Sequence, residues 1–93
     1  MKTLKRIEIF PVFVEYIPNI LVQDYIYISK EFETSVHLCL CGCGNQSIIP
    51  LNIKNGWNFI ENNGLISFTQ SILNTNCPNK YHYIITNNIA NVC

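Results

Sequence analysis

Charge is scarce in this chain. Only six of its 93 residues are Lys or Arg and six are Asp or Glu, leaving a formal net charge of zero. With no basic field to hold a phosphate backbone, nucleic-acid binding is disfavoured. Long apolar runs are missing too. Nothing approaches the roughly 18 consecutive apolar residues that a membrane-spanning helix needs. Lys2, Lys5 and Arg6 do precede an apolar stretch, Ile7 to Val14, but Glu8 and Pro11 interrupt it and Glu15 and Pro18 follow. A secretory signal is a continuous apolar helix, whereas this stretch reads as strand-like alternation. The expectation is a soluble, cytoplasmic protein with no membrane association. Histidine is limited to His37 and His82, so few side chains can serve as a base near neutral pH.

Apolar residues are plentiful, at 48%, so the chain is expected to fold rather than remain a disordered tail. Its length fits one domain, residues 1–93. A domain this short buries a thin core and commonly relies on a metal, a disulfide or a partner. The local signals are nearly all β. Ile7–Tyr16 and Tyr25–Ser29 are rich in β-branched and aromatic residues, with a Pro18-Asn19 turn between them. Val36–Leu40, Ser47–Leu51, Trp57–Ile60, Leu65–Thr69, Tyr81–Thr86 and Ile89–Val92 read as further strands. Asn55-Gly56, Asn63-Gly64 and Asn87-Asn88 are hairpin corners, because those residues tolerate positive φ. At most one helical turn is predicted, around Gln70–Leu73. Short strands at even spacing imply a mostly β protein, a small antiparallel meander or open barrel, with Trp57 in the core.

Cysteine is the exception to this plain composition. There are five, an odd number, and three fall within His37-Leu38-Cys39-Leu40-Cys41-Gly42-Cys43-Gly44. Neighbouring cysteines at this spacing cannot all pair with distant partners when only Cys77 and Cys93 remain. In a reducing compartment metal binding is the better account. In a straight strand Cys39 and Cys43 would stand about 13 Å apart. Tetrahedral zinc wants each sulfur about 2.3 Å from the metal, so the chain must turn sharply. Gly42 and Gly44 permit that turn, having no Cβ to forbid left-handed backbone angles. Cys39, Cys41 and Cys43 are therefore candidate zinc ligands. Cys77, in the turn-like Asn76-Cys77-Pro78, is the first choice for the fourth, with His82 and His37 as alternatives and Cys93 as a bystander.

Several of these segments together resemble a known family. Val14-Glu15-Tyr16-Ile17-Pro18, Tyr25-Ile26-Tyr27-Ile28-Ser29 and the cysteine-glycine motif, with Pro50-Leu51 and Trp57 after it, are similar to the bacterial domain of unknown function 6527. Ser71-Ile72 and His82-Tyr83-Ile84-Ile85 resemble that family's closing motif, Pro-Ser-Ile-Gly-Asn-Trp followed by Cys-x-Ser-His-Tyr. The likeness runs from about Phe13 to Val92. It implies a small zinc-binding β protein associated with bacterial genes that resemble ubiquitin activation and conjugation enzymes. Members are suspected of cutting ubiquitin-like proteins or their conjugates with a serine nucleophile. On this resemblance Ser71 is the nucleophile and His82 or His37 its base. The chain also departs from the motif. Gln70 replaces its proline, Leu73-Asn74-Thr75 its Gly-Asn-Trp and Tyr81 its second serine; Asn79 takes the cysteine position, with Cys77 two places early.

Serine hydrolysis also needs donors for the developing oxyanion, which the amides of Gly42 or Gly44 could supply, and a group to orient the base. Asp24, Glu31, Glu33 and Asn74 are open for the latter. A zinc-hydroxide protease is the weaker enzyme route, since no His-Glu-x-x-His pattern occurs. The leading expectation is a zinc-stapled serine peptidase that matures or deconjugates a ubiquitin-like protein. A non-catalytic module that recognises such a tail or a conjugation enzyme is the competing reading, and a purely structural subunit the third.

Overall fold

A computed structural model describes residues 5–51, 59–73, 77–78 and 81–92. Asn55-Gly56, Trp57, Asn74, Asn79 and Cys93 lie outside these described residues. Among the described residues every regular element is a strand. They are β1 (Lys5–Glu8), β2 (Phe10–Phe13), β3 (Tyr25–Ser29), β4 (Thr34–Leu38), β5 (Gln46–Pro50), β6 (Phe59–Asn62), β7 (Leu65–Phe68), β8 (Ile72–Leu73), β9 (His82–Thr86) and β10 (Ile89–Val92). One sheet runs β1-β10-β9-β8, a second β2-β3-β4-β5, and β6 pairs with β7 alone. The all-β expectation holds, and no helix long and apolar enough to cross a membrane occurs among the described residues.

Three details differ from the sequence reading. The strand expected over Ile7–Tyr16 is two strands that serve different sheets. Ile9 marks the break: its side chain is buried, its N–H donates to the Asn88 carbonyl, and the next amide, Phe10, donates to Asp24. A continuous strand cannot hydrogen-bond in two sheets at once, so the chain steps across at this residue. Second, β2 and β3 pair in parallel, where the meander expectation had antiparallel pairs throughout. The long 14–24 connection permits this, because parallel neighbours require a crossover rather than a tight hairpin. Third, the turn of helix around Gln70–Leu73 is absent. Ile72 and Leu73 instead pair with Tyr83 and His82 as β8, which buries Ile72. Packing has overridden a weak local signal.

The core follows from strand alternation. Ile26 and Ile28 of β3, Ile66 and Phe68 of β7, Tyr83 and Ile85 of β9, and Ala90 and Val92 of β10 all turn inward. Residues two apart share a face, so each strand presents one apolar row to a common cluster. Both described hairpin corners carry the predicted positive φ, at Asn63 and Gly64 and at Asn87 and Asn88. Asn88 does more than turn the chain. Its side-chain oxygen accepts from the Ile66 amide at 2.8 Å, and its own amide donates to the Ile66 carbonyl at 3.0 Å. One asparagine thereby imitates a rung of sheet and holds the β6–β7 hairpin onto the β9–β10 corner.

Candidate functional site

The cysteine motif forms the tip of the β4–β5 hairpin. Beyond the last paired residues, Leu38 and Gln46, the Cys39 amide donates to the Asn45 carbonyl at 2.7 Å. Residues 40–44 therefore have to reverse direction. Gly42 and Gly44 take φ of 89° and 87°, and a Cβ at either would meet open space. The need for glycine here is conformational, not steric crowding. The Cys39 carbonyl receives the Gly42 amide at 3.1 Å and the Gln23 side-chain amide at 2.9 Å. With its N–H committed in this way, Gly42 is not a free oxyanion donor.

This reversal gathers Cys39, Cys41 and Cys43, and Cys77 comes to them from the far end of the chain. All four sulfurs lie within 4.8 Å of one another. Cys41 and Cys77 are 2.9 Å apart and Cys39 and Cys41 3.5 Å apart, and none of the four is in a disulfide. A tetrahedron with metal–sulfur bonds of about 2.3 Å has edges of roughly 3.8 Å; both of these contacts are shorter than that, and the four sulfurs together could hold a metal ion. Cys39 and Cys77 are buried, which would shield an ion from solvent. Neither histidine belongs to this group of sulfurs.

His37 instead lies beside the cage, fully buried on the inner face of β4. Its Nε2 and the Tyr83 hydroxyl are hydrogen-bonded at 2.6 Å, and the two rings meet edge to face. Burial pushes the His37 imidazolium down to about pKa 4, so the ring is neutral at physiological pH. Burial likewise raises the Tyr83 phenol, the nearby Ser47 hydroxyl partly offsets this, and the charges of Cys39, Cys41 and Cys77 add to the rise. Ser47 is the direct cross-strand partner of His37. Its hydroxyl approaches the phenol without making a hydrogen bond of ordinary geometry. Both Ser47 Oγ and His37 Nδ1 are buried without a hydrogen-bond partner among the described residues. Sequence reasoning singled out His37 but missed Tyr83 and Ser47. A signal for Tyr83 was present: alternation with Ile85 turns it inward, and a buried phenol needs a partner for its hydroxyl.

Ser71 lies elsewhere. It is exposed and immediately precedes β8. A cleft of about 200 Å³ opens there, with Ile48, Ile49 and Pro50 of β5 on one side and Phe68, Ser71 and Leu73 on the other. His82 is opposite Leu73. Because alternate residues share a face, Ser71, Leu73 and His82 turn to the side opposite Ile72 and Tyr83. Carried one residue beyond β8, that register would make Ser71 and His82 diagonal neighbours. Such pairs stand about 7–8 Å apart in the backbone, within reach of a long side chain. His37 is on the inner side with Tyr83. Of the two histidines, His37 is the one beside the sulfurs through its bond to Tyr83, while His82 is half-buried on β9 opposite Leu73 and does not line the Ser71 cleft. Asn74, one of the residues considered for orienting the base, lies outside the described residues.

Residues 13–93 match the family model described as bacterial ubiquitination-like system serine protease (BubE). The name reached from sequence, domain of unknown function 6527, is not the one that matches; the bacterial ubiquitination-like setting is common to both. No curated protein and no solved structure matches the chain.

Proposed function

The chain belongs to the BubE family, serine proteases of bacterial ubiquitination-like systems, and from that premise we propose that it cleaves the C-terminal tail of a ubiquitin-like protein, or its conjugates, using Ser71 as nucleophile and His82 as base. The observation that carries this reading is Ser71 itself, an exposed residue that lines a cleft and immediately precedes β8, whose Leu73 pairs with His82. An extended tail entering the cleft would present its scissile carbonyl to Ser71. The serine oxygen attacks the carbonyl carbon while His82 takes the hydroxyl proton. The carbon–nitrogen bond then breaks, and His82 returns that proton to the leaving amine. Water releases the acyl group from Ser71 by the same two steps, restoring the free serine. A hydroxyl–imidazole hydrogen bond would have to form as the tail docks, because catalytic hydrogen bonds are often long or poorly aligned before substrate binds.

Cys39, Cys41, Cys43 and Cys77 would hold a structural zinc ion. Four thiolates close the coordination shell, leaving no open position for hydrolytic chemistry, so the contribution of the metal is folding free energy. His37 has a supporting role in this proposal. Its bond to Tyr83 ties the strand leading into the cysteine turn to β9, the strand that carries His82. The protein would act in the cytoplasm, where thiols remain reduced and available to metal.

Ser71→Ala is the direct test. Incubated with a ubiquitin-like partner bearing a short C-terminal extension, wild-type protein should release the extension. The variant should not, while retaining its melting temperature and its affinity for the tail. If wild type binds the tail without cutting it, the protein is a recognition module. Equal cutting by Ser71→Ala would remove Ser71 from the chemistry.

A further inference from the structure

The edges of the two larger sheets are not alike. In the sheet β1-β10-β9-β8 one edge is β1, Lys-Arg-Ile-Glu, dense with charge. Exposed edges are commonly guarded in this way against pairing with another chain. The opposite edge, β8, is Ile72-Leu73 and carries no charge. In the sheet β2-β3-β4-β5 the edge strand β5, Gln-Ser-Ile-Ile-Pro, is equally uncharged. Residues of these two uncharged edges line the Ser71 cleft. Ile48 on β5 is 67% exposed and Leu73 on β8 is 58% exposed. Both line the cleft, and branched aliphatic side chains left open to water gain free energy when another apolar group covers them. Among the described residues the cleft lining contains no acidic, basic or imidazole group, its polar members being Gln70 and Ser71.

We propose that Ile48 and Leu73 form a specificity subsite that selects a substrate tail with an uncharged aliphatic side chain just before the scissile carbonyl. The occupant is an extended peptide, laid between β5 and β8 with its aliphatic side chain between the two walls. A Lys, Arg, Asp or Glu at that position would lose water without gaining a partner, and is rejected on that ground. The proposal rests on Ser71 as the nucleophile for its link to catalysis, but the subsite can be tested apart from cleavage.

The probes are Gly-Ser peptides that carry a single Leu, Arg or Asp at each of the last positions before a fluorogenic anilide. Wild-type protein should favour Leu over Arg and Asp at one position by at least about 10-fold in kcat/KM. Leu73→Asp and Ile48→Asp should each lower kcat/KM for the Leu peptide by about 10-fold or more, chiefly through KM, and shift preference toward Arg. Both residues are on the surface, so melting temperature should be unchanged, and Leu73→Met should retain the wild-type preference. In parallel, the same peptides lacking the anilide are titrated into Ser71→Ala and Ser71→Ala/Leu73→Asp. The Leu peptide should bind the first at least about 10-fold more tightly than the second. Unchanged KM and unchanged binding in the Asp variants would overturn the subsite while leaving Ser71 in place. Binding that depends on Leu73, combined with cleavage that survives Ser71→Ala, would uphold the subsite and overturn the catalytic reading.

Discussion

Around the sulfurs, polar groups are buried: His37 and Cys39 have no exposed surface, and Tyr83 reaches across from the other sheet to bond the imidazole. Around Ser71 the reverse holds, with an exposed hydroxyl, exposed aliphatic walls and no charged side chain in the described cleft lining. Both regions carry residues that sequence reasoning marks for chemistry. Their surroundings suit different tasks. A polar group buried away from water must be satisfied internally and then strongly specifies one structure. A hydroxyl on a rim costs little to keep there and can meet a substrate. The comparison divides the proposed site into a holding end and a working end, joined through Tyr83, which is opposite Ile72 and next in sequence to His82.

If that division is right, the largest effect comes from breaking the holding end at its long-range member. Cys77→Ser should lower bound zinc well below one per chain, as measured by elemental analysis of protein purified without added metal. It should also unfold the domain. Structural zinc in small domains contributes about 10–16 kcal/mol of apparent binding free energy, comparable to the whole stability of a domain this size. Chelation of wild-type protein should do the same in a thermal melt. Ser71→Ala, by contrast, should stay within about 0.5 kcal/mol of wild type, as exposed substitutions usually do. Zinc-free wild-type protein that melts normally would dissolve the distinction.

Tyr83→Phe should have the next largest effect. It keeps the ring that fills the core but strips His37 Nε2 of its partner, leaving a buried imidazole with neither nitrogen bonded among the described residues. A loss of about 1–3 kcal/mol is expected from the stranded polar group, read by urea unfolding at saturating zinc. Gly44→Ala should cost about 1–2 kcal/mol, the usual penalty for a Cβ in the left-handed region. Since a Cβ there would meet open space, zinc should still bind at one per chain. Loss of metal with Gly44→Ala would mean the turn tolerates less than its geometry implies.

The holding end was more legible in the sequence than the working end, for a physical reason. Ligand type and backbone permission are both local properties, so Cys39-Leu40-Cys41-Gly42-Cys43-Gly44 announces a cage before any fold is known. Strand identity was legible for the same reason; Tyr25–Ser29 and Ile89–Val92 fall where β-branched and aromatic residues alternate. What was hidden is whatever depends on pairing. The passage from one sheet to the other at Ile9, the parallel β2–β3 pair and the β8 rung opposite Tyr83 are set by partners distant in sequence. The sorting of the two histidines is of that kind as well. Nothing beside His37 or His82 in the chain reveals which one turns inward, and only the cross-strand register separates them.

The smallest expected effect on stability makes the sharpest test of this sorting, because the site contains two serines near two histidines. Ser47 faces His37 directly and, by cross-strand register alone, is the better dyad. Its hydroxyl is buried and unpartnered among the described residues, so an incoming carbonyl has no path to it in this structure. Removing an unsatisfied buried hydroxyl relieves its desolvation cost and can be neutral or stabilising. Ser47→Ala should therefore shift stability by no more than about 1 kcal/mol, in either direction, and leave cleavage of the ubiquitin-like tail intact. Ser71→Ala should likewise spare stability but abolish cleavage. A tail-cleavage assay on the two variants side by side separates the alternatives without needing the identity of the natural substrate tail. Should Ser47→Ala be the inactive one, the buried His37–Tyr83 pair becomes the working end, and the exposed cleft only a surface on which the tail rests.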